Sequence, residues 1–213
     1  MAFRYCPLCA TPLRGAGQSH CPVCGYIHYR NPVSVVAGIL LADGPRLPAP
    51  GRLVPPPDAS HALFVRRTAK FPGTWCLPCG YIEYEEEIHA AACREFREET
   101  GLEVETVGVY AVQSNFHDPI NHTVGTWFLV RYLAGALQAG DDADRAEFFP
   151  LPTPPEPLAF PTDRTVIAAL TARTELRSAA GVALGKGCPL PIVNHAEARD
   201  RARLWWSRIK RRR

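Results

Sequence analysis

The sequence predicts a mixed α/β domain preceded by a small cysteine-rich unit. Three observations point there. Four of the eight cysteines fall in two CxxC pairs within the first thirty residues, and short apolar, β-branched runs recur from residue 32 onward. Among those runs lies one segment, 85–100, with the composition and the stop signal of an α-helix.

The cysteine-rich unit comes first in the chain. "CPLC" (Cys6, Cys9) and "CPVCG" (Cys21, Cys24) are separated by eleven residues. A tetrahedral Zn²⁺ takes four thiolates, and each CxxC turn presents two of them, with Gly25 easing the second turn. Thirty residues bury too little apolar surface to fold alone, so metal binding would supply the missing folding free energy. Residues 1–30 are therefore expected to form a zinc ribbon. A redox pair or a disulfide framework fits less well, given a reducing compartment and the lack of a thioredoxin-like βαβ context.

The remaining elements follow in order. Residues 32–42 and 61–67 read as strands, and the stretch between them holds six prolines and is expected to be a long exposed loop. The helix at 85–100 carries glutamates in its first turn, where the helix dipole favours them, and ends at Gly101. Strands are expected over 104–116, 122–137 and 146–151, then a helix over 162–174. The chain thus divides into 1–30, 31–175 and a basic, peripheral segment at 176–213, within which Trp205 and Ile209 share a face if the tail is helical.

With 213 residues, 46% of them hydrophobic, the chain can bury one core of ordinary size. Its longest apolar runs, such as 34–42, fall well short of the roughly 20 residues that span a bilayer, and no signal-like apolar region opens it. A soluble cytoplasmic protein is expected. A net charge of +3 does not by itself demand a nucleic-acid or membrane partner.

On a helix, Glu95, Glu98 and Glu99 fall on one face at i, i+3 and i+4. Ile88, Ala91 and Leu102 lie in the same direction, so this face is expected to point inward. Three inward carboxylates call for a cation, and hard oxygen donors without His or thiolate suit Mg²⁺ or Mn²⁺. A solvated acidic helix paired with Arg94 and Arg97 is the alternative. The surroundings favour the metal site. Gly80, five residues, Glu86, seven residues, then Arg94-Glu95-Phe96-Arg97-Glu98-Glu99-Thr100-Gly101-Leu102 agrees with every fixed position of the Nudix box.

The chain therefore resembles a Nudix hydrolase, and the preceding four-cysteine ribbon with "GYIHYRNP" resembles the zinc-ribbon, NADH pyrophosphatase-like branch. The resemblance implies an α/β/α sandwich around a mixed sheet and divalent-metal-dependent hydrolysis of a nucleoside diphosphate linked to another moiety. It implies that Glu95, Glu98 and Glu99 bind the metal, that Arg94 orients them, and that Gly80 and Glu86 shape the loop before the helix. It places Glu83 near metal or substrate and makes the backbone carbonyl of Cys79 a further ligand. Glu98, or a glutamate outside the box, would accept the proton of the attacking water.

Other residues depart from that branch. Cys76 and Cys79 form a third CxxC before the box, read as small buried thiols because no second pair sits at ligand spacing. Cys93 and Cys188 read as packing or incidental residues. The branch's SQPWPFPxS array is replaced by "QSNFHDPINH", 113–122, which weakens a preference for NADH. Pro119 lies about one residue from the place of an ADP-ribose hydrolase proline. Phe116, His117 and His122 either contact a base or are ordinary loop residues, and Arg66 and Arg67 are phosphate contacts or a solvated strand end. ADP-ribose, FAD and NADH are the leading substrates, and a homodimer is left open. The alternative is a nucleotide-sensing or RNA-associated module using the ribbon and the basic tail.

Overall fold

The computed structural model describes residues 4–13, 19–29 and 31–180. The expectations for the basic tail and for Cys188 lie outside the described residues. A two-stranded antiparallel ribbon, β1 (Ser19–His20) and β2 (Ile27–His28), precedes the main domain. Its short strands flank the second CxxC turn, and Gly25 adopts a positive φ of 76° there.

The main domain is built on one seven-stranded mixed sheet: β3 (Val33–Ala42), β4 (His61–Arg67), β5 (Trp75–Cys76), β6 (Cys79–Tyr81), β7 (Leu102–Asn115), β8 (Thr123–Gly135) and β9 (Ala143–Pro150). The path runs β5-β4-β3-β8-β7, with β6 joined to β3 and β9 to β4. Among the described strands, only the β3–β8 pairing is parallel. Strand β3 is central because it is apolar on both faces, as a doubly covered strand must be. Ala37, Ile39 and Leu41 join a core capped by α2 (Pro161–Ala180) through Val166, Ile167 and Leu170. Val36 and Leu40 join the opposite core, capped by α1 (Ile88–Thr100) through Ala91, Ala92 and Phe96. The result is an α/β/α sandwich. Gly38 faces α1, and any Cβ there would overlap the Phe96 ring.

Three expectations about elements change. Helix α1 begins at Ile88, so its first turn has no acidic residue. Glu87 is instead its N-cap, accepting the N–H groups of His89 (2.9 Å) and Ala90 (3.1 Å), and Glu86 is drawn aside by Arg94. Side-chain capping and an ion pair override the dipole preference. The proline-rich stretch is not simply an exposed loop. Pro48, Val54, Pro56 and Ala59 are buried, and a 3₁₀ turn at Pro56–Asp58 packs near α2, because three consecutive prolines offer apolar surface with little ordering entropy left to lose. Finally, α2 runs to Ala180, beyond the expected end at residue 174.

Candidate active site and metal centres

The box residues are brought together by two turns and a helix. Strand β6 pairs with β3 through Tyr81–Val35, Gly80–Val36 and Cys79–Ala37, which sets residues 79–81 beside the carboxylate face of α1. A Cβ at Gly80 would overlap the Glu95 carboxylate, so only glycine allows this approach. At the far end, Gly101 takes φ 69° and donates its N–H to Arg97 O at 2.8 Å, closing the helix and turning the chain directly into β7.

Arg94 is the hub of the site. Its Nε and Nη2 grip Glu86 through both carboxylate oxygens (2.7 and 2.8 Å). Nη1 donates to Glu95 Oε1 (2.8 Å) and Glu98 Oε2 (3.0 Å), and Nη2 also donates to the carbonyl of Tyr81 (3.0 Å). All five guanidinium donors are engaged, so loop, helix and β6 are held by one side chain. Its hydrogen bonds hold the Glu86 carboxyl down to about 2.

The three helix carboxylates differ in environment. Glu99 is 2% exposed and accepts the Cys79 N–H at Oε2 (2.9 Å), while Arg67 Nη1 stands 4.0 Å from Oε1. Burial pushes its carboxyl well above the usual range, and burial also raises Glu95. The Glu98 side chain, 40% exposed, lies at the rim. The inward direction expected of this face thus holds fully for Glu99 and least for Glu98. As a donor set, three carboxylates beside a backbone carbonyl strand fit a hard divalent cation. Their oxygens are turned to Arg94 and Cys79 and do not converge as a tight cluster; among the described residues that arrangement belongs to the cysteines alone.

Those cysteines, Cys6, Cys9, Cys21 and Cys24, have Sγ atoms all within 4.8 Å of one another. Cys6–Cys24 and Cys9–Cys21 each approach to 3.5 Å, far longer than a disulfide bond. Thr11, hydrogen-bonding through its hydroxyl and then its backbone, draws the Cys9 thiol down to about 6. Cys21 is lowered as well, while Cys24 is raised, the backbone at Tyr26 pulling it down against thiol neighbours that push it up; a metal binding the cluster would take all four as thiolates. Cys76 and Cys79 contrast with this. Cys76 is fully buried, and a hydrogen bond from Cys76, followed by burial, raises the Cys79 thiol. Burial likewise raises Cys93.

Beside the carboxylates lies a cavity of about 280 Å³. Cys79, Gly80 and Arg67 form its boundary with the box, and Trp127, Phe160 and His117 supply rings. Two loops meet over it. Lys70 pairs with Asp118 at 2.7 Å, and Phe71, His117 and Phe160 pack with centroid separations of 5.4–6.1 Å.

The expected substrate contacts divide sharply. Arg67 lines the cavity, pairs with Asp142 at 2.9 Å and lies over the Phe160 ring. Arg66 does not reach it, because both its Nε and Nη2 hold Asp144 on the outer side. Successive residues of a strand point to opposite faces. Phe116 is 66% exposed and its ring meets His122 at 5.0 Å, whereas its neighbour His117 enters the cavity wall. Glu83 is exposed, and its backbone N–H serves Glu86. Pro119 does not line the cavity.

Sequence inspection missed Asp163, Phe160 and Trp127. Asp163 is 2% exposed and accepts from Trp127 Nε1 (3.0 Å) and Leu77 N (3.1 Å), and burial raises its carboxyl to about 6. In the sequence it reads only as an acidic residue near a helix start, and no local pattern marks it.

Comparison with known proteins agrees with this architecture. A crystal structure of a NUDIX hydrolase from Nitrosomonas europaea superposes with a TM-score of 0.62 at 24% identity, covering 84% of this chain and 94% of that one. The ADP-ribose pyrophosphatase of Methanocaldococcus jannaschii is 36% identical over 110 residues, which are 51% of this chain and 64% of that protein. The NAD-capped RNA hydrolase NudC of Pseudomonas aeruginosa is 27% identical over 175 residues, 80% of this chain and 56% of its own length. The chain thus spans less than two thirds of the length of these curated relatives. No described helix is long and apolar enough to cross a membrane. The family model described as NUDIX domain matches residues 48–170, more than half of the chain, and takes in the whole Arg94-centred site: the protein belongs to the Nudix family.

Proposed function

We propose that the chain is a divalent-metal-dependent pyrophosphohydrolase acting on a nucleoside diphosphate linked to another moiety, of the ADP-ribose, FAD or NADH type, and releasing a nucleoside monophosphate. The observation that carries this is the Arg94 clamp, which orders Glu86, Glu95 and Glu98 beside buried Glu99 at the mouth of a ring-lined cavity. Glu95, Glu98 and Glu99, with the Cys79 carbonyl, are the groups that would hold Mg²⁺ or Mn²⁺. A cation bound there neutralises phosphate charge and makes a bound water a stronger acid.

The chain's own residues do the rest. Arg94 removes the rotamer freedom of the carboxylates before substrate arrives, so that their orientation is set in advance. Glu98, the most exposed of the three, is the candidate acceptor for the water's proton. Arg67 presents a cation between the carboxylates and the cavity, suited to a phosphate oxygen. The cavity takes the nucleoside or ring moiety. At the N-terminal end, Cys6, Cys9, Cys21 and Cys24 hold a structural Zn²⁺ apart from the chemistry.

The relatives named for ADP-ribose and for NAD-capped RNA share a pyrophosphate flanked by adenosine, which supports this substrate class. The test is a panel of ADP-ribose, NADH, FAD, diadenosine polyphosphates, nucleoside triphosphates and an NAD-capped oligonucleotide, each with Mg²⁺ or Mn²⁺. Nucleoside monophosphate is expected from at least one diphosphate-linked member. Product from none of them, or from the triphosphates alone, overturns the proposal.

A further inference from the structure

The thiols of Cys76 and Cys79 have no part in the roles above. Cys76 ends β5 and Cys79 begins β6. The two strands belong to different neighbours: Cys76 lies opposite Val65 of β4, and Cys79 opposite Ala37 of β3. Among the described residues, β3 and β4 pair with each other only at Leu41–Ala62 and Ala42–His61. Beyond that point they splay, and the turn Cys76-Leu77-Pro78-Cys79 spans the gap between them, held to β3 by the Gly38 N–H on the Pro78 carbonyl at 2.8 Å. The two thiols are free and neighbour each other across this turn, Cys76 hydrogen-bonding to Cys79. Cys76 is fully buried, while Cys79 is half-buried and lines the cavity, so a small solute in the cavity reaches the pair through Cys79.

Two contacts tie this pair to the buried carboxylate of the box. The Cys79 N–H donates to Glu99 Oε2 at 2.9 Å. Arg67 Nη1 donates to Cys76 Sγ at 3.6 Å and stands 4.0 Å from Glu99 Oε1, so one nitrogen faces both the sulfur and the carboxylate. We propose that Cys76 and Cys79 are a redox pair, joined in a disulfide by hydrogen peroxide and restored by a thiol reductant, and that the disulfide disables the hydrolytic site. Two S–H bonds and the O–O bond break and one S–S bond forms. The sulfurs give up two electrons, and the peroxide oxygens leave with the two thiol protons as two waters. Drawing the sulfurs together to bonding distance pulls the Cys79 backbone away from Glu99 Oε2 and moves the acceptor that holds Arg67 beside Glu99 Oε1. The loss of turnover rests on the pyrophosphohydrolase reading, whereas formation of the disulfide does not.

The test exposes the full chain to hydrogen peroxide, blocks the remaining thiols with iodoacetamide in denaturant, and maps the peptides by mass. The peptide that carries both cysteines should be recovered without alkylation and lighter by two hydrogens. Turnover of the diphosphate that the panel identifies should fall by roughly tenfold or more and return with dithiothreitol. Cys76→Ser, compared with its own untreated sample, should lose less than about twofold under the same exposure, because the disulfide has no second sulfur. Zinc content followed in parallel reports oxidation of the N-terminal cysteines. Alkylation of both Cys76 and Cys79 after exposure, undiminished turnover by the disulfide form, or an equal loss in Cys76→Ser would overturn the proposal. If the panel yields no product, Mn²⁺ binding followed by electron paramagnetic resonance takes the place of turnover. Binding that weakens roughly tenfold or more on forming the disulfide would support the pair while the hydrolase reading fails, and binding that is unchanged or absent in both forms would overturn the pair as well.

Discussion

The two walls of the cleft are held by different forces. On the α1 side, Arg94 gathers Glu86, Glu95 and Glu98 with charge-assisted hydrogen bonds of 2.7–3.0 Å, all within residues 80–101. On the α2 side, the wall is made of rings and one buried carboxylate drawn from stretches that lie far apart in the chain, with Asp163 tied to Leu77 and Trp127. The first wall is local and electrostatic; the second is a product of tertiary packing. The difference teaches that the two walls can be perturbed separately. Changes on the α1 wall should act on turnover.

The largest effect should come from Glu98→Gln. It removes one charge from a rim position without changing side-chain size, so kcat should fall by about a hundredfold or more while the melting temperature stays near that of the parent. Near-normal turnover in steady-state assays would move the essential carboxylate elsewhere. Arg94→Lys keeps the charge and loses the fork, so it should lower kcat by about tenfold or more and also lower the melting temperature, since Glu86 and Tyr81 lose their donor. A variant with unchanged kcat would show that the clamp is dispensable for ordering the carboxylates.

Metal removal separates the two centres. After EDTA treatment, metal analysis should find one zinc per chain, while hydrolysis is lost and returns with Mg²⁺. Cys6→Ser should reduce the retained zinc and leave turnover of a small substrate within roughly a few-fold, because the ribbon would serve structure and not chemistry. Zinc retained in full by that variant would argue against the four-cysteine site.

A smaller effect distinguishes the walls by pH. Glu86 is held down to about 2 in the folded state by Arg94, below the unfolded carboxylate value of about 4.3. Its contribution to stability is therefore complete above that value and lost as pH falls through the folded one. Asp163 is raised to about 6 by burial, so its contribution runs the other way, present below about 4 and lost as pH rises through 6. Thermal melts should show the gap between parent and Glu86→Gln closing from about pH 4 to 2. The parent should lose ground to Asp163→Asn from about pH 4 to 6. A gap that does not move in either window would contradict the environment assigned to that group.

The smallest effect is expected at Arg66. Its partner Asp144 is a surface residue, so Arg66→Ala should leave the melting temperature near that of the parent and change kcat by less than about twofold. A large rise in KM in that variant would return Arg66 to the substrate contacts.

How much was legible follows the same division. The box could be read directly because its parts lie within one turn–helix–turn, where 3.6 residues per turn place Glu95, Glu98 and Glu99 together without reference to the rest of the fold. The four cysteines were legible for a similar reason, since ligand spacing in a small unit is itself a local geometric constraint. By contrast, Arg66 and Arg67 are indistinguishable as neighbours in a strand, and only the placement of β9 and α1 sends one to Asp144 and the other to the cavity. Phe116 and His117 divide in the same way.

By itself the sequence determined the longer strands and the two helices in outline, the helical clustering of Glu95, Glu98 and Glu99, the cysteine cluster and the family, because each depends on residues close in the chain. Tertiary structure alone decided the cavity. It joined the short strands β5 to β4 and β6 to β3, tucked the proline-rich stretch against α2, and buried Asp163 between Leu77 and Trp127, residues 86 and 36 positions away. Such contacts arise when the sheet closes between its two helices, and no spacing along the chain announces them.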